Sequence, residues 1–238
     1  MSAFLYGAAL QWKLDIRSKA LLITCYLVPL LFFAVMGGIF TSLMPEAKST
    51  LIQSMTVMGV SMGALVGLPP SLTEIYGSDI KKVYKANGVP LYLGLFTISL
   101  SAFLHLMLMC LIIYIAAPIA FDAQIPERPL WYFIRLSIFI GVSLSLGSIL
   151  GLSVKNQSKL TMVSQIAFLP SIMLSGIMFP AGLLPRPLAV IGSIFPAAWG
   201  YRLLTGDGSV CSSLFPLAVI FAVCAAICVL ELRRLQSE

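Results

Sequence analysis

The chain has 238 residues, of which 59% are hydrophobic and only 10% are charged, whereas an ordinary soluble domain carries about 25% charged residues. This composition excludes a soluble globular protein, because too few charged groups are present to cover its surface, and it excludes a disordered chain, which needs the opposite composition. The mean hydropathy of +1.00 and the net charge of +6 indicate a protein that lies in a lipid bilayer.

Residues 2–19 form the first predicted element, a short amphipathic helix. One face of this helix carries apolar side chains, at Leu5, Ala9, Trp12 and Ile16. The opposite face carries polar side chains, at Gln11, Asp15 and Ser18. The spacing favours a helix in the inner membrane interface, with Trp12 at the level of the lipid headgroups. A frayed cytoplasmic tail is the alternative interpretation.

Six long stretches without a charged residue follow, and each is long enough for one membrane-spanning helix of about 17–25 residues. The predicted spans are 20–44, 50–70, 91–118, 131–153, 160–179 and 209–230. An even number of spans places both termini on the same side of the membrane. That side carries ten Lys and Arg residues, against five on the other side, which predicts that both termini are cytoplasmic.

The segment between the second and third spans predicts a separate short helix at 72–86. Ser71 and Glu74 form a capping box at its start, and Asn87 with Gly88 gives it a left-handed end. The helix is too short and too charged to cross the bilayer, so we place it on the cytoplasmic side. It is either an interfacial helix held by lipid phosphates or a docking helix for a cytoplasmic partner.

Small residues recur at helix-packing intervals in two of the spans. In the second span they are Gly59, Gly63 and Gly67; in the fourth they are Ser137, Gly141 and Ser145, followed by Gly147 and Gly151. Small side chains let two helix backbones approach closely inside a membrane. The pattern indicates helix packing within the chain, with a dimer contact as the alternative.

The apolar stretch 180–205 differs from the spans because prolines divide it. Pro185, Pro187 and Pro196 leave pieces that are too short to cross the bilayer. We therefore predict a re-entrant region of two short helices in the outer leaflet, with Trp199 and Tyr201 at the outer interface.

Side chains for catalysis are scarce in this sequence. It contains one histidine and no GxxxxGK[ST] loop, and its five cysteines form no CxxC pair. We therefore expect no catalytic residues, no metal site and no ATP site on this chain. His105 lies inside the third predicted span; it either hydrogen-bonds within the bundle or takes part in proton movement.

Uncharged polar side chains recur in the second and fifth spans. The candidates are Gln53, Thr56, Ser164, Ser171 and Ser175. Hydrogen bonds between helices account for such residues. A weakly polar path for an amphipathic solute is the alternative.

The chain resembles the membrane subunit of ABC type-2 exporters, and the most specific signal lies near its C-terminus. Three elements carry it: LPSIMLSGIMFP at 169–180, LP at 184–185 and IFPAAWGYRLL at 194–204. In that family a Ser-Gly…Pro element ends the fifth span, and short re-entrant helices precede the sixth. The Glu74…Gly77 segment is similar to the coupling helix of the family. The resemblance covers nearly the whole chain as a single transmembrane domain, 1–238.

The resemblance implies an assembly of two permeases, identical or paralogous, with two cytoplasmic ATPase subunits that bind ATP and Mg. No cofactor would bind this chain, and no nucleic acid would be a partner. The residues implied to couple to the ATPase are Glu74, Tyr76, Gly77, Ile80, Lys81 and Lys82. The solute path would lie between the permeases, lined mainly by the first, second and fifth spans.

The sequence therefore predicts an all-α integral membrane protein of the bacterial plasma membrane, surrounded by lipid, that acts as the permease of an ATP-driven exporter. Short outer loops and sparse charge favour an apolar or amphipathic solute, such as a drug, a peptide or a lipid. A membrane-embedded immunity or interaction protein without transport activity is the alternative.

Overall fold

The computed structural model describes residues 2–77, 80–178 and 185–237, and these ranges contain helices and turns but no strand. Five of the described helices are long and apolar enough to cross a membrane, and a bent pair of short helices is a sixth candidate. The predicted class, an all-α membrane protein, is confirmed.

The N-terminal half of the chain contains the first three long helices and the segments that join them. In chain order these elements are α1 (Ser2–Arg17), α2 (Lys19–Leu22), a π-helical turn (Ile23–Leu27), α3 (Val28–Leu43), a 3₁₀ turn (Pro45–Ser49), α4 (Leu51–Met62), a second π-helical turn (Gly63–Gly67), α5 (Leu68–Tyr76), α6 (Ile80–Ala86) and α7 (Leu91–Phe121).

The C-terminal half contains two further long helices and three shorter ones. They are α8 (Pro129–Ser153), α9 (Gln157–Met173), α10 (Arg186–Gly192), α11 (Pro196–Thr205) and α12 (Val210–Ser237). The long helices match five of the six predicted spans. The helix at the predicted fifth span, α9, has 17 residues and ends at Met173 rather than at 179, which puts it at the short end of the spanning range.

The boundary predicted at Ser71 is wrong. The second span is continuous from Leu51 to Tyr76, so no helix begins at the Ser71–Glu74 capping box. A proline inside a helix lacks an N–H group, and its ring clashes with the carbonyl four residues earlier. For Pro69 and Pro70 those carbonyls fall in the π-helical turn, whose wider backbone accommodates the prolines.

The first span also contains a π-helical turn directly before a proline. Its π-helical turn, Ile23–Leu27, lies directly before Pro29. The two π-helical turns contact each other, because a Cβ atom added to Gly67 would lie 3.2 Å from Cys25 Sγ. The inner parts of the first two spans are therefore in contact at the places where both helices depart from regular α geometry.

Gly77 ends the second span and separates α5 from α6. A Cβ atom at Gly77 would lie 2.7 Å from the carbonyl oxygen of Thr73, so the missing side chain lets the backbone turn here. The single helix predicted at 72–86 is thus divided in two. Residues 78–79, between the two parts, lie outside the described residues.

The small residues of the fourth span pack against the second span. A Cβ atom at Gly147 would overlap the carbonyl oxygen of Ala64, and one at Gly151 would lie 2.7 Å from Leu72 Cβ. Such close backbone contact explains the need for glycine. At Gly141, by contrast, an added Cβ atom would meet no other atom within 4 Å, so packing within the chain does not explain that glycine.

The two short helices predicted before the last span are present as α10 and α11, which meet at a bend of 90°. The indole Nε1 of Trp199 donates to the carbonyl of Ser193 at 2.7 Å, which connects the two helices across the bend. The guanidinium of Arg202 lies 5.0 Å from the centre of the Trp199 ring. The start of the predicted region, 180–184, lies outside the described residues.

The helix predicted at 2–19 is present as α1, but Asp15 of its predicted polar face packs inward and Ile16 of its predicted apolar face is exposed; the side chains of Leu5 and Ala9 lie outside the described residues. Asp15 is only 6% exposed, whereas Leu10, Leu14 and Ile16 are exposed. The carboxylate of Asp15 accepts hydrogen bonds from Gln11 Nε2 at 2.8 Å and from the hydroxyl of Ser101 on α7. Because a polar partner is available on α7, Asp15 packs inward and the exposed side of α1 carries Leu10, Leu14 and Ile16.

Candidate functional site

The end of the second span is attached to the fourth span by a pair of hydrogen bonds. The Thr73 hydroxyl lies 3.1 Å from the carbonyl oxygen of Gly151 and 3.2 Å from that of Val154, and it donates to both. The last carbonyls of an α-helix have no partner within the helix. Thr73 therefore satisfies the end of α8 and fixes its position relative to α5.

Tyr76 attaches the same region to the third span. Its side chain is 2% exposed, and its hydroxyl donates to the carbonyl of Leu91, the first residue of α7. A Cβ atom at Gly94 would lie 3.0 Å from the Tyr76 oxygen, so glycine makes room for the ring. Tyr76 was predicted to contact the ATPase, but its burial makes it a link between two spans instead.

The other predicted coupling residues lie nearer the surface. Glu74, Gly77 and Ile80 are exposed, and Lys81 is half-buried. The side chain of Lys82 lies outside the described residues. On α6, sequence reasoning did not single out Val83 as a contact residue, although it is 57% exposed; an apolar side chain at the surface of a short charged helix was the available signal.

The predicted solute-path residues do not come together in one place. Thr56 accepts a hydrogen bond from the Tyr132 hydroxyl at 2.9 Å, and Ser175 donates to the carbonyl of Ile172 at 2.7 Å. Both side chains are buried, and these bonds lie within the bundle. Hydrogen bonding between and within helices thus accounts for two of the five residues.

The other three path residues are buried polar groups without a partner. Within the described ranges, Gln53 Oε1, Ser164 Oγ and Ser171 Oγ make no hydrogen bond. Gln53 lines a cavity of about 630 Å³ that also contains Arg135. Ser175 lines a different cavity, of about 670 Å³. Both cavities open at the end of the bundle opposite α6.

The second span has little surface to offer a path between two permeases. Of its apolar stretch, 83% is buried inside the chain, against 22–44% for the other four long helices. Helix α9 is more accessible, since Met162, Ile166, Leu169 and Met173 are all exposed. In this structure the second span is the centre of the bundle rather than one of its walls.

His105 lies in a cluster that joins α1, the first span and the third span. The Trp12 ring stacks on its imidazole with centroids 4.2 Å apart and an angle of 8° between the planes. Tyr26 Oη lies 2.7 Å from His105 Nδ1, whereas Nε2 is buried and makes no hydrogen bond to any described residue. Trp12 was predicted at the lipid headgroups and instead covers this histidine.

A match to known proteins identifies the family of this bundle. The model of the ABC-2 type transporter family matches residues 3–206, which include α6 and the bent pair α10–α11. The chain belongs to the ABC-2 type transporter family. A comparison with curated proteins found no match.

Family membership confirms the resemblance seen in the sequence. This ABC-2 permease is a multi-pass membrane protein and the membrane component of an ABC transporter. It is a transport subunit and not itself the ATPase, and permeases of this family generally act with an ABC ATPase. The match ends at residue 206, so α12 lies beyond it.

Proposed function

We propose that this ABC-2 permease is the membrane subunit of an ATP-driven exporter in the plasma membrane. It assembles with a second permease, identical or paralogous, and with two ATPase subunits that bind ATP and Mg. The end of the bundle that carries α6 faces the cytoplasm, where both termini also lie. The exporter moves an apolar or amphipathic solute outward.

The observation that carries this proposal is the attachment of the α5–α6 region to three spans. Helix α5 is continuous with α4, Thr73 is bonded to the end of α8, and Tyr76 is bonded to the start of α7. A force applied to α6 therefore reaches the second, third and fourth spans through short connections. Closure of the ATPases would in this way bias the arrangement of the spans.

The surface of α6 supports docking through apolar contact. Ile80 and Val83 lie one turn apart on this helix, and both are exposed. Apolar side chains at the centre of an interface contribute most of its binding energy. We place this pair against the ATPase, with Lys81 beside it as a charged contact.

The chemical nature of the buried polar groups in the bundle supports an apolar or amphipathic solute. Among the described residues, the buried polar atoms without a hydrogen bond belong to one amide, three hydroxyls and one imidazole: Gln53, Ser143, Ser164, Ser171 and His105. None of them is an acidic side chain, a lysine or an arginine. Such groups bind a polyanion or a polycation weakly, because they carry no net charge to neutralise it. A solute with a large apolar part and a few hydrogen-bonding groups suits them better.

The docking of α6 is tested by coexpressing the permease with the ATPase encoded in the neighbouring reading frame. Val83→Asp places a charge in the proposed interface and should reduce the copurified ATPase by at least about tenfold. Ser237→Asp is the matched control, since it adds the same charge at an exposed position at the end of α12, outside the α5–α6 region. Its ATPase yield should equal that of the unmodified protein.

The same preparation tests the function as a whole. Reconstituted vesicles that contain both subunits should accumulate a fluorescent amphipathic dye when ATP is supplied, and vesicles with the permease alone should not. Uphill transport by the permease alone would overturn the proposal. So would a Val83→Asp variant that keeps both its ATPase and its transport rate.

A further inference from the structure

The cavity of about 630 Å³ at the end of the bundle opposite α6 has features of a binding site that the transport function does not require. It lies between the loop before α8, the start of α8, the end of α11 and the start of α12. Its charged lining consists of Arg128, Arg135 and Glu127. Two guanidinium groups and one carboxylate leave the cavity with a net charge of +1.

Arg135 is the most unusual of these groups because of its depth. It lies six residues after Pro129, the first residue of α8, which corresponds to about 9 Å along the helix axis. Its Nη1 atom donates to the carbonyl of Leu203 at 3.2 Å. A guanidinium carries five N–H groups, so one carbonyl leaves most of its donors available.

Among the described residues, neither arginine forms an ion pair, although Glu127 lines the same cavity. The ion pair between described residues is Lys48 with Asp122, which lies outside this cavity. A cation inside a membrane protein is costly unless it is paired. A ligand with a single negative charge would balance the net charge of the cavity, and a phosphate group would accept from the guanidinium in the bidentate geometry that arginine favours.

Gln53 supplies an independent sign of a ligand. Its side chain is 7% exposed, lines the same cavity, and has an Oε1 atom that accepts no hydrogen bond from the described parts of the chain. A buried acceptor of this kind is usually satisfied. A hydroxyl group on the ligand would satisfy it.

The apolar wall of the cavity continues onto the outer surface of the bundle. Ile134 and Ile138 line the cavity, and both are exposed, as is Trp131 one turn earlier on the same face of α8. These side chains form an apolar strip that begins beside the arginines. An acyl chain can lie along such a strip while its headgroup enters the cavity, and tryptophan is common at that depth.

We propose that this cavity binds an anionic phospholipid with a hydroxylated headgroup, of which phosphatidylglycerol is the simplest example. The phosphate contacts Arg135 and Arg128, a headgroup hydroxyl donates to Gln53, and one acyl chain lies along Ile134 and Ile138. The site shares Gln53 with the predicted solute path, and it does not depend on the docking of α6.

Native mass spectrometry of the purified permease in detergent tests this site. Phosphatidylglycerol and phosphatidylcholine with identical acyl chains are added in turn, and the bound fraction is measured. We expect a preference of at least about tenfold for phosphatidylglycerol. Arg135→Gln and Arg128→Gln should each remove most of this preference, and Arg135→Lys should keep part of it because the charge remains.

Arg186→Gln is the matched control, because it removes one exposed positive charge at the first residue of α10, away from this cavity. It should bind phosphatidylglycerol as the unmodified protein does. Arg128 is exposed, so Arg128→Gln keeps the test valid even if Arg135→Gln fails to fold.

Three results would overturn the proposal. In the first, the two lipids bind equally or both arginine variants retain the preference. In the second, millimolar inorganic phosphate displaces the lipid completely, which would assign the cavity to a free anion. In the third, the preference disappears when the permease is isolated as a dimer, which would mean that a second copy covers the cavity.

Discussion

Asp15 shows how a single acidic residue decides the orientation of a helix. In the sequence it is one member of a polar face, and periodicity alone places such a face toward water. In the structure its carboxylate is buried and accepts from Gln11 and Ser101. Two donors offset much of the cost of burying the charge, so the polar side of α1 packs inward.

This interpretation predicts the effect of removing one donor. Ser101→Ala leaves the buried carboxylate with a single hydrogen bond and should destabilise the protein by about 1–3 kcal/mol, measured as a lower melting temperature in detergent. Ser137→Ala is the control, because that hydroxyl donates to the carbonyl of Phe133 within its own helix; it should change stability by less than about 0.5 kcal/mol. Equal melting temperatures for the two variants would contradict the role given to Ser101.

His105 is tied to the same region by the rings of Trp12 and Tyr26. The cluster joins α1 to the first and third spans. Sequence reasoning identified His105 but not its neighbours, because stacking between residues 12 and 105 leaves no periodic signal in either segment. The partners of an isolated polar residue in a span become known only from the packing.

At the scale of the elements, α5 and α6 connect the surface to the bundle. The Tyr76 hydroxyl is the connection to α7, and it is made to a backbone carbonyl. A phenylalanine at this position would keep the buried ring and remove only the hydrogen bond. The variant therefore leaves the docking of α6 to the ATPase intact and removes only the hydrogen bond that would carry movement from α5 to α7.

We expect Tyr76→Phe to keep the ATPase bound and ATP hydrolysis running, while transport per ATP falls by a factor of about 3–10, the range given by a hydrogen bond worth about 0.5–1.5 kcal/mol. Hydrolysis and dye accumulation are measured in the same vesicles. Tyr92→Phe, at an exposed position near the start of α7, is a matched hydroxyl deletion and should leave the ratio unchanged. If Tyr76→Phe also leaves it unchanged, the link is not used in transport.

The sequence predicted the positions of the long helices better than their ends. Charge-free stretches locate the spans, because charged residues are excluded from hydrocarbon whatever the packing. The boundary at Ser71 was wrong because a local capping signal competes there with a π-helical turn that lets the helix pass Pro69 and Pro70. That turn depends on contact with the first span, which no local pattern encodes.

The candidate site was predicted less completely, for a related reason. The location of the coupling region followed from its charge and its length, and the exposed Glu74, Gly77 and Ile80 agree with it. Tyr76 was assigned to the coupling surface on the resemblance alone, and its burial against the third span could not be predicted from the local sequence. The cavity beside Arg135 was missed because its walls come from several separate elements, among them α4, α8, α11 and α12.

At the scale of the whole molecule, the orientation in the membrane can be tested with a native residue. Of the five cysteines, Cys211 is exposed at the start of α12 and the other four are buried. If both termini are cytoplasmic, Cys211 faces outward and a membrane-impermeant maleimide should label it on intact cells. The Cys211→Ser variant should lose that label.

A second variant completes this test. Ser237→Cys in the Cys211→Ser background places a thiol at the exposed end of α12, and it should react only after the membrane is opened. Labelling of Cys211 that appears only in opened membranes would reverse the orientation, and would also put α6 on the side where no ATPase is available.

The two ends of the molecule differ in what they present. The end with α6 presents that short helix beside the hydrogen-bonded end of α5, together with cavities of about 430 and 520 Å³. The opposite end presents two larger cavities, of about 630 and 670 Å³. This division fits a permease that receives mechanical input on one side and meets lipid or solute on the other. The enclosed second span runs between the two ends and is the shortest connection between them.

The paired π-helical turns have a consequence for how the first two spans can move. Cys25 and Gly67 are in contact, so the π-helical turns of the first two spans lie side by side at the same level of the bundle. If the first two spans bend at these turns, the segments on one side of the bend are expected to tilt together, because the two helices are in contact there. Replacing Pro29, or Pro69 with Pro70, would stiffen one of the two helices at this level and leave the other to bend alone.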